Sequence, residues 1–433
     1  MNSPGGRSIL SRRRMLKMTA AAAGYAAGPC DMAFAGEPWK LSKEDDAFLD
    51  DLERQGCLFF WEQASPGTGQ VLDRARNDLG GARDRRSMAS IASTGFGLTA
   101  LTIADHRGYL PHAAVVERVR NTLQWHLNVL PEVHGFFYHF TDIETGARFR
   151  GSELSSIDTA LLLCGVLTAK AYFADARIHS LAQQIFDRVD WLWMLNGGKT
   201  FSMGWQPDTG FLGVRWEHYC ELMMIYLLAI GWPAHSVEPE YWNHFTRPVI
   251  HYAGFSYIGG NDPLFTHQYS QAWFDFRGKR DAYADYFENS VTATRAHKAF
   301  CLSYPKWYND DYWGVTASDS VGGYTVWGGP PARGPLDGSA VPAAAAGSLP
   351  FLPKECLAVL RAMRSNWGKH AWGRYGFVDA FHPAANWYDP DVIGINQGIS
   401  VLMAENLRSE LVWKTFMRNR ECASAMQRVG FHD

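Results

Sequence analysis

Five stretches of this 433-residue chain set carboxylates among aromatic and glycine residues. Residues 134–146, H-G-F-F-Y-H-F-T-D-I-E-T-G, hold Asp142 and Glu144. Residues 151–163, G-S-E-L-S-S-I-D-T-A-L-L-L, hold Glu153 and, five positions on, Asp158. At about 100° per helical residue the two are about 140° apart, so they share a wall only if Glu153 lies in the loop before the helix. Asp158 stands in an apolar run, where a carboxylate is costly to bury without partners. It is either a satisfied structural group or a catalytic one.

Residues 216–224, W-E-H-Y-C-E-L-M-M, place Glu217 and Glu221 at i,i+4, predicting one shared helix face beside Trp216. Glu221 abuts Leu222, Met223 and Met224. Partial desolvation there would favour its protonated form, the property a general acid needs. Residues 264–281 gather His267, Gln268, Tyr269, Trp273, Asp275 and Arg277, a set able to hydrogen-bond a polyhydroxylated ligand. Residues 372–381 and 386–391 add Arg374, Asp379, Tyr388, Asp389 and Asp391. Paired carboxyls suit glycosidic bond hydrolysis, in which one protonates the leaving oxygen and another acts on water or the anomeric carbon. Trp and Tyr faces suit the C–H surfaces of sugars. Trp216, Trp273, Trp313, Tyr269 and Tyr388 are the candidate sugar contacts, with Glu217, His267, Gln268, Arg277 and Arg374 as polar ones. Asp142, Glu153, Asp158 and Asp389 are candidates for the base or for positioning the water.

No metal or cofactor is expected. The chain has no G-x-S-x-G, H-E-x-x-H, P-loop or dinucleotide fingerprint, and its cysteines form no C-x-x-C pair. Cys57, Cys164, Cys220, Cys301, Cys356 and Cys422 read as core filler.

The elements that must position these groups are helices. Apolar spacing predicts them over 45–61, 87–106, 113–130, 155–173, 177–195, 215–230, 239–251, 264–276, 282–303, 353–367 and 394–417, the last in one or two pieces. Short strands are predicted at 136–141 and 210–214, and residues 322–342 as a long active-site loop carrying Tyr324 and Trp327. About twelve helices without a linker predict an all-α fold, an (α/α)6 toroid (six-hairpin barrel), with short β segments in its loops. No repeat of fixed period supports a solenoid.

Residues 1–35 read as a twin-arginine signal: S-R-R-R-M-L-K at 11–17, a weakly apolar Ala/Gly segment, then A-F-A at 33–35. Pro29 before Cys30 fits a lipidation site poorly. Residues 36–433 are then one catalytic domain, periplasmic or secreted. Removing the signal takes away five Lys/Arg and one acid, leaving a chain more acidic than the −3 of the whole. That balance disfavours nucleic acid and polyanionic substrates. No apolar run reaches the ~20 residues of a membrane span. The expected partner is a neutral poly- or oligosaccharide bound by a monomer. The competing readings are a polysaccharide lyase on the same toroid and a non-catalytic glycan-binding protein. Seventeen Trp, 18 Tyr and 25 Phe exceed what a core needs and suit the walls of a sugar cleft.

The motifs also resemble the bacterial glycoamylase-like domain family. The resemblance rests on S-I-A-S-T-G-F-G-L at 90–98, 135–146, 152–161 and 264–277, A-A-A-G-S-L-P-F at 344–351, 372–381, and L-V-W-K-T-F-M-R-N at 411–419. In that order they span roughly residues 45–431. The resemblance implies an (α/α)6 barrel and inverting cleavage of β-1,2-glucan. It places the general acid on Glu221 and maps Asp142, Glu153 and Asp158 onto catalytic or subsite positions, with a base acting directly or through water. Cys220 stands where relatives often carry a small polar residue.

Overall fold

The computed structural model describes residues 40–231, 236–260, 263–331 and 334–433, so residues 1–35, the expected export signal, and Cys30 within them lie outside the described residues. The chain is mostly helical. The first seven helices are α1 (Lys43–Glu62), α2 (Ile91–His106), α3 (His112–Asn128), α4 (Ser156–Tyr172), α5 (Ala176–Asp187), α6 (Trp191–Leu195) and α7 (Met223–Gly231). The rest are α8 (Tyr269–Trp273), α9 (Tyr286–Leu302), α10 (Pro342–Ala346), α11 (Pro353–Ala371), α12 (Gly394–Arg408), α13 (Leu411–Phe416) and α14 (Arg420–Arg428).

Caps set the helix starts. Ser42, Ser90, Ser155, Asp175 and Asp285 each accept the amide three residues on, satisfying a donor the helix cannot. In α2 and α4 every residue from Ile91 to Ala104 and from Ser156 to Ala169 is buried, as inner helices require. These two touch backbone to backbone. A Cβ on Gly95 would sit 2.3 Å from the Leu161 carbonyl, and one on Gly165 2.0 Å from that of Gly95. Only glycine permits that approach. α1, α3 and α5 bury one face each and pack outside: α1 on α2 and α12, α3 and α5 on α2 and α4.

Short antiparallel pairs lead into the inner helices. Met88–Ser90 pairs Phe140–Asp142 before α2, Leu154–Ser155 pairs Gly204–Gln206 before α4, and Asp391–Ile393 pairs Arg74–Arg76 before α12. This gathers the N-terminal ends of α2, α4 and α12 in one place.

Four sequence expectations change. Residues 215–222 are not helical: Arg215 bridges Ser202, His218 bridges Thr246, and α7 begins only at Met223. Glu217 and Glu221 therefore share no helix face. Residues 239–251 give a 3-10 turn, Pro239–Asn243, and then a hairpin, Val249–Tyr252 with Phe255–Ile258. Residues 177–195 split into α5 and α6, the break capped by Asp190. Residues 264–276 form a 3-10 turn, Leu264–His267, followed by α8. All six cysteines of the described residues are buried.

Candidate active site

A cavity of about 590 Å³ opens at the N-terminal ends of α2, α4 and α12. Met88 and the α2 cap Ser90 line it, with Asp158 of the first α4 turn and Asp391, Ile393 and Ile395 around the start of α12. The positive ends of three helices thus face a set of carboxylates, which favours their anionic forms.

Two carboxyl groups dominate its chemistry. Asp158 accepts the Ser155 hydroxyl at 2.5 Å, and the same hydroxyl caps the Asp158 amide at 3.2 Å. His139 stands beside it, with Nε2 3.5 Å from Asp158 Oδ2 and Nδ1 3.5 Å from Glu153 Oε1. The imidazole stacks on Phe140, centroids 3.8 Å apart, which fixes its plane between the two carboxyls. Glu153 does lie in the loop before the Leu154–Ser155 strand, the condition for it to share a wall with Asp158.

Asp389 is the second. Its Oδ1 accepts the Asp391 amide at 3.1 Å, while Oδ2 is buried with no hydrogen-bond partner. Burial, then the charges of Asp379 and Asp319, push this carboxyl up to about 9. Behind it, Asp379 accepts Asn396 Nδ2 at 2.7 Å and the Asp319 amide at 2.8 Å. Burial and the Asp319 charge raise Asp379 to about 7 against those bonds. Arg74 bonds Asp319 at 2.5 Å and Asp73 at 3.1 Å, and Arg86 grips Asp391 through two bonds at 2.5 and 3.0 Å. The carboxylate oxygens of Asp319, Asp389 and Asp391 lie within 4.8 Å of one another, the described group whose spacing could hold a cation. The two arginines already supply positive charge there, so protonation of Asp389 and Asp379 offsets the remaining excess of acids. Trp387, Tyr324 and Phe140 add ring surface to the lining.

Of the candidate residues, the structure brings Asp158 and Asp389 together in this cavity, with Glu153 joined through His139. Tyr388 is half-buried beside Trp387, stacked on Phe381 at 5.9 Å. Glu221 is buried ahead of α7, its backbone carbonyl accepting the Ser270 hydroxyl at 2.7 Å, and is not among the lining residues of this cavity.

Others sit elsewhere. Asp142 closes its own turn by accepting the Thr145 amide and hydroxyl, both at 2.9 Å. Against the burial that raises it, these bonds hold its carboxyl below the usual range. Trp216, Tyr269, Trp273 and Trp313 are core residues rather than cavity walls: Trp273 donates to Thr99 at 3.0 Å and Trp216 to Ser156 at 2.8 Å. Gln268 ties α8 to Ala344 and Ser348 at 2.9 and 2.7 Å. His267 is buried near Tyr219 and held down to about 3 by burial, then by the charge of His297, so it is neutral. Arg277 pairs Asp275 and Glu410 over the Trp413 ring, and Arg374 pairs Glu62. Glu217 lines a separate groove with Lys199, Arg215, His218 and His244.

Asp73, Arg74, Arg86, His139, Asp319 and Trp387 were not singled out from sequence. L-D-R-A-R at 72–76 and R-D-R-R at 83–86 were the available signals, and alone they read as surface charge.

Residues 213–420 match the glycoamylase family model, described as "putative glucoamylase". The matched segment is 208 residues, just under half of the chain. It holds Asp319, Asp379, Asp389 and Asp391, while Asp73, Arg74, Arg86, His139 and Asp158 precede the matched segment, so the cavity is completed from outside it. An exo β-1,2-glucooligosaccharide sophorohydrolase (non-reducing end) of Parabacteroides distasonis is 27% identical over 89% of this chain. The chain spans 58% of that relative's length. An endo-β-1,2-glucanase from Chitinophaga pinensis, solved with sophorotriose and glucose, superposes with a TM-score of 0.83 at 27% identity, covering 90% of this chain and 99% of its own. A β-1,2-glucanase from Parabacteroides distasonis gives 0.82 at 26%, covering 89% and 60%.

Proposed function

We propose that this glycoamylase-family chain is an inverting glycoside hydrolase that cleaves β-1,2-glucan at the mouth of an (α/α)6 toroid. The observation that carries the reading is the meeting of Asp158 and Asp389 in one ring-flanked cavity, each in a different electrostatic setting. The relatives' activities on β-1,2-glucans support the linkage. An inverting reaction needs one carboxyl that holds a proton and one that accepts one from water. Asp158, flanked by the Ser155 hydroxyl and His139, is the acceptor. Two buried carboxyls are fit to donate. Asp389 retains its proton at neutral pH within the cavity, and Glu221 is the acid that the resemblance implies.

A polyuronate lyase would need free cations for its substrate, yet Arg74 and Arg86 are engaged with Asp73, Asp319, Asp84 and Asp391. Incubation with linear β-1,2-glucan should release new reducing ends or sophorose; their absence sinks the linkage assignment. Asp158→Asn, Asp389→Asn and Glu221→Gln in the same assay rank the three carboxyls. The twin-arginine segment further implies export of the monomer. Recovery of an Arg12→Lys/Arg13→Lys double variant in the periplasm at the wild-type level would contradict that route.

A further inference from the structure

Six consecutive residues, 319–324, form one wall of the cavity. They belong to a turn that hydrogen-bonds itself. Ser318 and Thr325 exchange backbone bonds at 2.7 and 3.0 Å, the Ser320 hydroxyl donates to the Gly323 carbonyl at 2.7 Å, and the Gly323 amide bonds the Ser320 carbonyl at 3.0 Å. Gly323 has φ +108°, which a side chain would resist. The turn is fastened at its base. Trp327 Nε1 donates to Ser318 Oγ at 2.8 Å, the Asp319 carboxylate takes Arg74, and the Asp319 amide donates to Asp379, the neighbour of Asp389.

At the tip stands Val321, 58% exposed. Scattered apolar side chains on a surface are ordinary. Val321 differs from Val129, Leu192, Val249 and Tyr283, the other large apolar residues exposed on the described surface, because it lines the cavity. A valine pinned in the wall of a cavity shared by two carboxyls is placed to be covered by whatever the cavity holds.

We propose that Val321 is a substrate-contact residue. Its methyl groups pack on the C–H face of a glucosyl unit, and the 318–325 turn sets the distance from that unit to Asp389. This rests on reading the cavity as a glucan site. A β-branched side chain on a fixed backbone has few rotamers to lose, so the contact is made at little entropic cost. The contact is the same in ground and transition states, so it acts on KM rather than kcat.

The test compares wild type, Val321→Ser and Val321→Ile on linear β-1,2-, β-1,3-, β-1,4- and α-1,4-glucans, with melting temperature as the control for folding. On the cleaved glucan, Val321→Ser should raise KM about tenfold, the loss of one apolar side-chain contact, with kcat within about threefold. Val321→Ile should restore it, and neither should move the melting temperature by more than about 1 °C, since exposed positions tolerate substitution. A Val321→Ser KM within twofold of wild type on β-1,2-glucan overturns the inference and leaves the linkage standing. The tenfold rise on a different glucan keeps the inference and removes the linkage. No cleavage of any glucan by the wild type overturns both.

Discussion

The cavity and the clasp between α1, α2 and α12 bury the same kinds of side chain to different ends. In the clasp Arg107 grips Glu405 through two bonds at 2.8 Å, and Arg408 reaches Asp46 at 2.7 Å, Asp50 at 3.3 Å and Glu53. Glu53 and Glu405 are fully buried, and burial, then the Glu405 charge, raises the Glu53 carboxyl. One Glu53 oxygen lacks a hydrogen-bond partner, as does Oδ2 of Asp389. The difference is access. Helices seal Glu53 away from solvent, whereas Asp389 lines a cavity a substrate can enter. Buried charge therefore does not identify a catalytic group; buried charge facing a cavity is the more telling sign.

Substitutions should separate the two regions. The largest effect is expected of the acceptor and the donor: Asp158→Asn in the cavity and the true donor's variant, Asp389→Asn there or Glu221→Gln outside its lining, should lower kcat by roughly 10²–10⁴ with the melting temperature preserved, read by reducing-end assay and calorimetry. A variant that unfolds instead would place its carboxyl with the clasp. Arg408→Ala should do the opposite. Leaving Glu53 unpaired should cost about 3–5 kcal/mol in denaturant unfolding, while the protein that remains folded turns over normally.

Stability should also depend on pH in a definite direction. Asp379 and Asp389 have raised folded values, about 7 and about 9, so the folded chain binds more protons than the unfolded one above the ordinary carboxylate range. Their contribution is full below about pH 4 and is lost as pH rises through those two values. Unfolding midpoints should fall as pH rises from about 4 to about 9, and Asp389→Asn should flatten the upper part of that slope, between about 7 and about 9. Burial and the Glu405 charge raise the Glu53 carboxyl as well, so it acts with the same sign, and Glu53→Gln should leave kcat untouched. The smallest expected change is in His139→Asn: kcat lower by about tenfold, the worth of one modest hydrogen bond, with KM unchanged.

Much of the fold was legible in the sequence because helices follow local periodicity. α2 and α4 fell within a few residues of expectation, with Ser90 and Ser155 as caps. Residues 215–222 misled because Glu217 and Glu221 have helical spacing, while the backbone there is held by Ser202 and Thr246 from other loops. Trp273, Trp313 and Tyr269 misled for a related reason: composition does not say on which side of a wall a ring lies, and these face the core.

The helical class, the carboxylate-bearing motifs and the acidic balance of the chain can all be read along the sequence, because each depends on residue types and on neighbours a few residues apart. Which acids meet depends on the folded chain. Asp158 and Asp389 are 231 positions apart; Arg74 joins them from a strand paired with Asp391–Ile393, His139 from beside the strand paired with Met88–Ser90, and Asp319 through its bonds to Arg74 and Asp379. The proton on Asp389 follows from that assembly, since desolvation and the charges of Asp379 and Asp319 act only once the cavity has formed.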